Sequence, residues 1–295
     1  MGELLAFLST CFFATANVTI SRGTGPKGQE NGAFLSILMT AGIAAIAWVY
    51  VLMTQGWPRI DPLALAWFGG AGILTIFIGR VFLYASVQHL GAVRASAVKR
   101  LNPVFSVMLG VLVLGEPVSS SMTVGMLLIF ASFGVLIWQA MSSSKAGKAD
   151  TSSQSWMATM ANLGFFYGPI SALAYATGYV ARKQGLDVMP DAAFGTMFGS
   201  VVGAVCFVLA GQFVDSYRTA VRATFTTFNS WLFAAAVLSS IGQLLYFAAL
   251  TRSTISRVAL IASMEVFVTM FLTVLLFRSR EQLTGSVLVA AGLGV

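Results

Sequence analysis

The chain has 295 residues, of which 57% are hydrophobic and only 9% charged, against roughly 25% charged in a typical soluble domain. So few charges cannot cover a water-exposed surface, which excludes a soluble globular fold and points to a polytopic membrane protein. The net charge of +7 does not indicate nucleic-acid binding, because the cations are scattered over connecting segments rather than gathered on one face.

Apolar runs predict spans at about 3–21, 33–54, 63–88, 92–114 and 120–141, and then at about 160–181, 191–213, 230–250, 254–277 and 283–295. All but the last are long enough to cross a hydrocarbon core of about 30 Å at about 1.5 Å per residue. The last, Leu283 to Val295, has 13 residues and is short of the roughly 20 needed. The expected fold class is therefore all-α integral membrane, with ten transmembrane helices of which the last is incomplete in this chain. The opening MGELLAFLSTCFF is expected to be a retained first helix. It carries Glu3 with no cation before the apolar run and no small-residue cleavage site. Ala6 stands where an N-myristoylation motif needs Ser or Thr. Cys11 and Cys206 both fall inside apolar runs and read as packing residues rather than a disulfide or metal pair.

A polar linker at 142–157, containing SSSKAGKADTSSQS, separates five spans from five. It divides the chain into a first repeat at 1–141 and a second at 158–295. The halves share an order of landmarks: Asn102-Pro103-Val104-Phe105 falls on Met264-Glu265-Val266-Phe267, and Glu116 comes near Glu281. With an odd number of spans per half, the second half enters the membrane from the opposite side, so the repeats are inverted. Inverted repeats are an architecture of secondary transporters, with the substrate site near the midplane between them.

The hairpin with GRVFLYASV, the short HLGA turn and then NPVFSVMLGVLVLGEP resemble the EamA family of the drug/metabolite transporter superfamily over essentially the whole chain. The second half departs from the family's pattern, with Glu265 in place of the proline and SRE in place of LGE. The resemblance implies ten helices in two inverted five-helix repeats around a central cavity lined mainly by the first, third, fourth, sixth, eighth and ninth helices. It implies transport of small metabolites, among them amino acids, purines, sugars and cationic drugs, and favours export.

Charges inside the membrane mark candidate function, because one at the bilayer centre costs at least about 2.5–3.5 kcal/mol on insertion scales. Five cations fall in or near spans: Arg80, Arg94, Lys99, Arg100 and Arg257. Lys99 and Arg100 stand about two turns into the fourth run; either they snorkel to the interface, or Lys99 faces the cavity and attracts a carboxylate. Asn102 follows, and Pro103 removes a backbone donor, predicting a helix kink beside the cavity. Glu265 is the one acidic residue well inside an apolar run, expected about halfway along the ninth helix. It serves either as a substrate or proton site, or as a structural ion pair with Arg257, Lys99 or Arg100. Arg80 either clamps a substrate carboxylate or anchors at the surface. Asn17, Tyr84, Tyr167, Tyr175, Tyr179, Gln243 and Tyr246 line a pocket or simply pack; Tyr175 and Tyr179 share a helical face. His89, in the HLG turn, reads as a loop residue.

No HExxH, P-loop, GxSxG or Cys/His cluster occurs, so no cofactor or metal is expected and an intramembrane enzyme, the rival class, has no motif. Arg59, Arg182, Lys183 and Arg252 fall in loops on the amino-terminal side. Arg22, Lys27, Lys145, Lys148, Arg218, Arg222, Arg278 and Arg280 fall on the other. That bias favours a cytoplasmic linker side, whereas the resemblance implies cytoplasmic termini, which is the orientation preferred here. The expectation is a secondary transporter of a bacterial-like inner membrane. It would move a small polar metabolite, amino acids or related compounds foremost, by alternating access with possible proton coupling. Export of cationic drugs, purines or sugars is the alternative.

Overall fold

The structure is a computed structural model that describes residues 1–24, 32–90, 101–115 and 166–277, with isolated positions 95, 98, 99, 123, 124, 127, 128 and 131. Most of the expected fifth span, the linker and the short last run, together with Arg94 and Arg100, lie outside the described residues. The helices are α1 (Gly2–Gly23), α2 (Ala33–Gln55), α3 (Pro62–Leu90), α4 (Leu101–Leu114), α5 (Tyr167–Val188) and α6 (Ala192–Phe213). They are followed by α7 (Asp215–Thr226), α8 (Ser230–Leu250), α9 (Ile255–Ala262) and α10 (Glu265–Phe277). Among the described residues, six helices are long and apolar enough to cross a membrane: α1, α2, α3, α6, α8 and the stretch Ile255–Thr273 that joins α9 to α10.

Local chemistry sets the helix starts. Asp61 accepts a bond from the Leu63 amide at 2.7 Å, with Pro62 as the first helical residue of α3, where its missing N–H costs nothing. Asp191 caps α6 through the Phe194 amide at 2.8 Å. Asn229 caps α8 through the Trp231 amide at 3.0 Å and donates to the Gly23 carbonyl at 2.9 Å, tying the end of α1 to the start of α8. Asn229→Ala should therefore lower stability by about 1 kcal/mol, read as a shift in thermal unfolding of the detergent-solubilised protein.

Three elements differ from the sequence expectation. The third span is not a uniform α-helix: Gly72–Gly79 is π-helical between two α-helical pieces. The ninth run is broken at Ser263 and Met264, so Glu265 is the first residue of α10 rather than the middle of a continuous helix. Between the seventh and eighth runs, where a loop is expected, α7 forms with no fully buried residue, its Tyr217 ring against Phe207 at 4.8 Å. Arg218 on α7 donates to the free carbonyls of Gly211 and Gln212 at the end of α6, at 3.1 and 3.2 Å. An amphipathic helix of this kind suits the plane of a membrane interface.

Helices of the first half pack chiefly on helices of the second: α1 on α8, α2 on α6 and α8, α3 on α5 and α6, α4 on α5. Lipid tails are as apolar as Leu, so such packing depends on close approach and interhelical hydrogen bonds. Both occur. Gly72 and Gly199 bring α3 and α6 into backbone contact: a Cβ on Gly72 would lie 2.6 Å from the Gly199 Cα. Ser36 bonds Ser239 at 2.9 Å, Thr40 bonds Ser240 at 2.8 Å, and Ser9 donates to the Gly242 carbonyl at 2.7 Å. Outward-facing residues such as Met53, Leu112 and Phe271 are exposed and apolar, as contact with lipid requires.

Candidate functional site

Two polar centres lie inside the helix bundle. The first joins the two halves of the chain. Glu265 accepts from Lys99 Nζ, at 3.2 Å on Oε1 and 3.0 Å on Oε2, and from Asn17 Nδ2 at 2.6 Å on Oε1. Lys99 and Glu265 are 8% and 6% exposed, so this is a desolvated ion pair. Lys99 Nζ also lies 4.8 Å from the centroid of the Phe13 ring and 5.7 Å from that of Tyr175, within range of a cation–π attraction. The break between α9 and α10 places Glu265 at a helix N-terminus, where a carboxylate is favoured by the helix dipole.

A cavity of about 30 Å³ opens onto this pair, lined among others by Asn102, Pro103, Tyr179, Tyr246 and Ser263. That volume suits about one ordered water; a metabolite needs the walls to part. Asn102 accepts from Ser106 at 2.8 Å. Pro103 stands at the third position of α4. The Tyr179 and Tyr246 rings stack at 4.3 Å, with Tyr175 5.7 Å from Tyr179.

The second centre is built around two guanidiniums. Arg80, at the end of the π-helical segment, donates from Nη1 to the Ser36 carbonyl at 2.9 Å, to Ser36 Oγ at 3.1 Å and to Thr40 Oγ1. Its Nη2 reaches Gln243 Oε1 at 3.4 Å. Tyr84, one turn further along, bonds Ser239 at 3.5 Å. Arg182 is 0% exposed. It donates from Nη2 to Thr75 Oγ1 at 3.2 Å and lies over the Phe247 ring.

The structure thus gathers Asn17, Lys99, Asn102, Pro103 and Glu265 in one centre and Arg80, Tyr84 and Gln243 in the other, with Tyr175, Tyr179 and Tyr246 between them. Lys99 faces inward, and it is Lys99 rather than Arg257 that pairs with Glu265; Arg257 is exposed. Arg80 is buried rather than anchored at a surface. Tyr167 packs at the rim against His89 at 5.1 Å, and His89 sits in the last turn of α3, bonded to the Ala85 carbonyl at 2.8 Å, instead of in a loop.

Arg182, expected among the loop cations, is instead buried within α5. It lies at i+7 from Tyr175 and i+3 from Tyr179 on α5, one helical face, and that spacing was the available signal. Phe13, Thr75 and the hydroxyl pairs Ser36–Ser239 and Thr40–Ser240 also escaped a reading tuned to charges.

A profile of the EamA-like transporter family matches residues 1–138 and 162–295. The chain belongs to that family and is a multi-pass membrane protein of the drug/metabolite transporter type. No protein with a curated description matches the sequence. A protein of known crystal structure aligns at a TM-score of 0.62 and 18% identity, covering 99% of this chain and 94% of the other. At that identity the likeness concerns the fold alone.

Proposed function

We propose that this protein is a secondary transporter that moves a small polar metabolite across the inner membrane by alternating access. Ten helices in two inverted repeats, 1–141 and 158–295 about the 142–157 linker, rock around a central site. The reading is supported most by one observation, the desolvated Lys99–Glu265 pair, which links the first half to the second where the ninth run breaks. Discontinuous helices whose ends face the substrate are a device of secondary transporters, and an intramembrane ion pair facing a cavity marks a substrate or ion path.

The pair is complementary to a zwitterion. An amino acid inserted between the two groups would give its carboxylate to Lys99 and its ammonium to Glu265, replacing one ion pair by two. Asn17 and Asn102 then supply neutral hydrogen bonds, and the stacked tyrosines form an apolar wall. Separating Lys99 from Glu265 also removes a link between the residues just before α4 and the start of α10, so binding is coupled to the motion of one half against the other. Export is the preferred direction, with both termini cytoplasmic. Proton coupling, where present, runs through Glu265, the one buried carboxylate among the described residues.

Glu265→Gln tests this directly. The amide keeps the shape and can still accept from Asn17 and Lys99, so the variant should fold and elute as wild type. Reconstituted in liposomes, it should lose at least about tenfold in amino-acid uptake, the scale of a lost charge-assisted bond. Unchanged uptake and unchanged pH dependence would remove Glu265 from the mechanism.

A further inference from the structure

The four buried charged residues among those described are three cations, Arg80, Lys99 and Arg182, and one carboxylate, Glu265. Glu265 is already committed to Lys99. Arg80 is satisfied by neutral acceptors, but Arg182 is not: its Nε and Nη1 are buried with no hydrogen-bond partner. Gln243 Nε2 is buried without a partner as well, while the same side chain's Oε1 faces Arg80. Arg80 and Arg182 are close enough to interact electrostatically, and the Tyr175, Tyr179 and Tyr246 phenols fall within the same range of Arg182.

Two guanidiniums of like charge in a desolvated space, with unused donors on one and on the amide between the halves, are costly on their own. An anion accepting from them would remove the cost. A guanidinium presents planar donors matched to carboxylate oxygens, and a carboxamide N–H can add a third bond. The tyrosines that line the cavity beside Lys99 and Glu265 also neighbour this group. Tyr179 and Tyr246 line that cavity and stack on each other, Arg182 stands one turn from Tyr179, and Gln243 stands one turn from Tyr246.

We propose that Arg80, Arg182 and Gln243 form an anion subsite, and that the substrate is a net-anionic metabolite, a dicarboxylate or an acidic amino acid, whose second carboxylate occupies it. The inference rests on the transporter reading for its location beside Lys99 and Glu265, and it names the substrate class of that site. An ordinary amino acid fills the ion pair alone and leaves Arg182 uncompensated. The second carboxylate of an acidic amino acid, carried past the tyrosine wall, completes both centres, and a dicarboxylate does so when Glu265 takes up a proton in place of the missing ammonium.

Ligand binding to the purified, detergent-solubilised protein tests the subsite apart from transport. The probes are glutamate, succinate, alanine, putrescine and chloride, followed by isothermal calorimetry and by ligand-induced shifts in thermal unfolding. Glutamate and succinate should bind at least about tenfold more tightly than alanine, with putrescine and chloride weaker still. In Arg182→Gln that preference should vanish while alanine binding persists. Gln243→Ala provides the second variant should Arg182→Gln fail to fold, and it should reduce the preference in the same direction. Equal affinity for alanine and glutamate, an undiminished preference in a folded variant, or binding of none of the probes would overturn the proposal. So would chloride competing as well as succinate, which would make the centre a simple halide site. Uptake assays separate the two readings: dicarboxylate binding without uptake counts against transport and leaves the subsite standing, whereas alanine uptake without the preference does the reverse.

Discussion

Glu265→Ala should abolish transport and lower the stability of the solubilised protein by about 3–5 kcal/mol, the range for removing one partner of a buried ion pair. Lys99 Nζ is held by both carboxylate oxygens, and its surroundings beyond Glu265 are the Phe13 and Tyr175 rings. Truncating the acid strands an ammonium in that setting and removes the carboxylate that the Asn17 amide also bonds. The double variant Lys99→Met with Glu265→Leu should regain most of the lost stability, because matched apolar side chains replace buried pairs at little or no cost. It should not regain transport. Thermal unfolding in detergent and liposome uptake measure the two effects separately. A double variant no more stable than the single one would show that the pair's charges are not what the site must balance.

The second large effect is expected far from any charge. Gly72→Val should prevent accumulation of folded protein, with a destabilisation of at least about 3 kcal/mol. The added Cβ would meet the backbone of Gly199, whose Cα would be 2.6 Å away. Backbone cannot swing aside as a side chain can, so α3 and α6 would have to separate. That separation would also displace the π-helical segment carrying Thr75 and leading into Arg80, and with it the contacts to Arg182 and Ser36. The check is the yield of monodisperse protein on gel filtration, with Gly42→Val as the control, since a Cβ at Gly42 meets nothing within 4 Å.

Much of the first centre was legible from the sequence because a membrane makes charges conspicuous. Lys99 and Glu265 stand out in apolar runs, and Asn102-Pro103 marks the same region by removing a backbone donor. Their pairing with each other, rather than with Arg257, depends on which side chains the fold turns toward one another across the two halves. Periodicity in a uniformly apolar helix does not encode that. The break before Glu265 was hidden for a related reason: Ser263 and Met264 are neither Gly nor Pro, so nothing in the local chemistry announces that the helix stops. The π-helical Gly72–Gly79 likewise contains no proline or charge to mark a change of register. Arg182 was missed because the apolar run ends at about 181 and Lys183 follows, so a hydropathy boundary looks like a loop. In the structure α5 continues to Val188, and the residue faces inward while Lys183 pairs with Asp187 at 3.1 Å. The hydroxyl pairs between α2 and α8 were invisible because Ser and Thr are unremarkable in membrane helices, where they also bond their own backbone, as Thr40 does to the Ser36 carbonyl at 2.8 Å.

In the proposed mechanism Lys99 and Glu265 exchange partners with a zwitterionic group, while Arg182 and Gln243, beside Arg80, offer their unused donors to a second anionic group. The measurement that bears most directly on the central claim is uptake of labelled metabolites into liposomes containing the purified wild-type protein, with and without a pH gradient. Saturable uptake of amino acids or their acidic relatives, above that of empty liposomes and lost in Glu265→Gln, is the expected result. A panel of amino acids, organic acids, purines, sugars and cationic amines that enters no faster than into empty liposomes would contradict it.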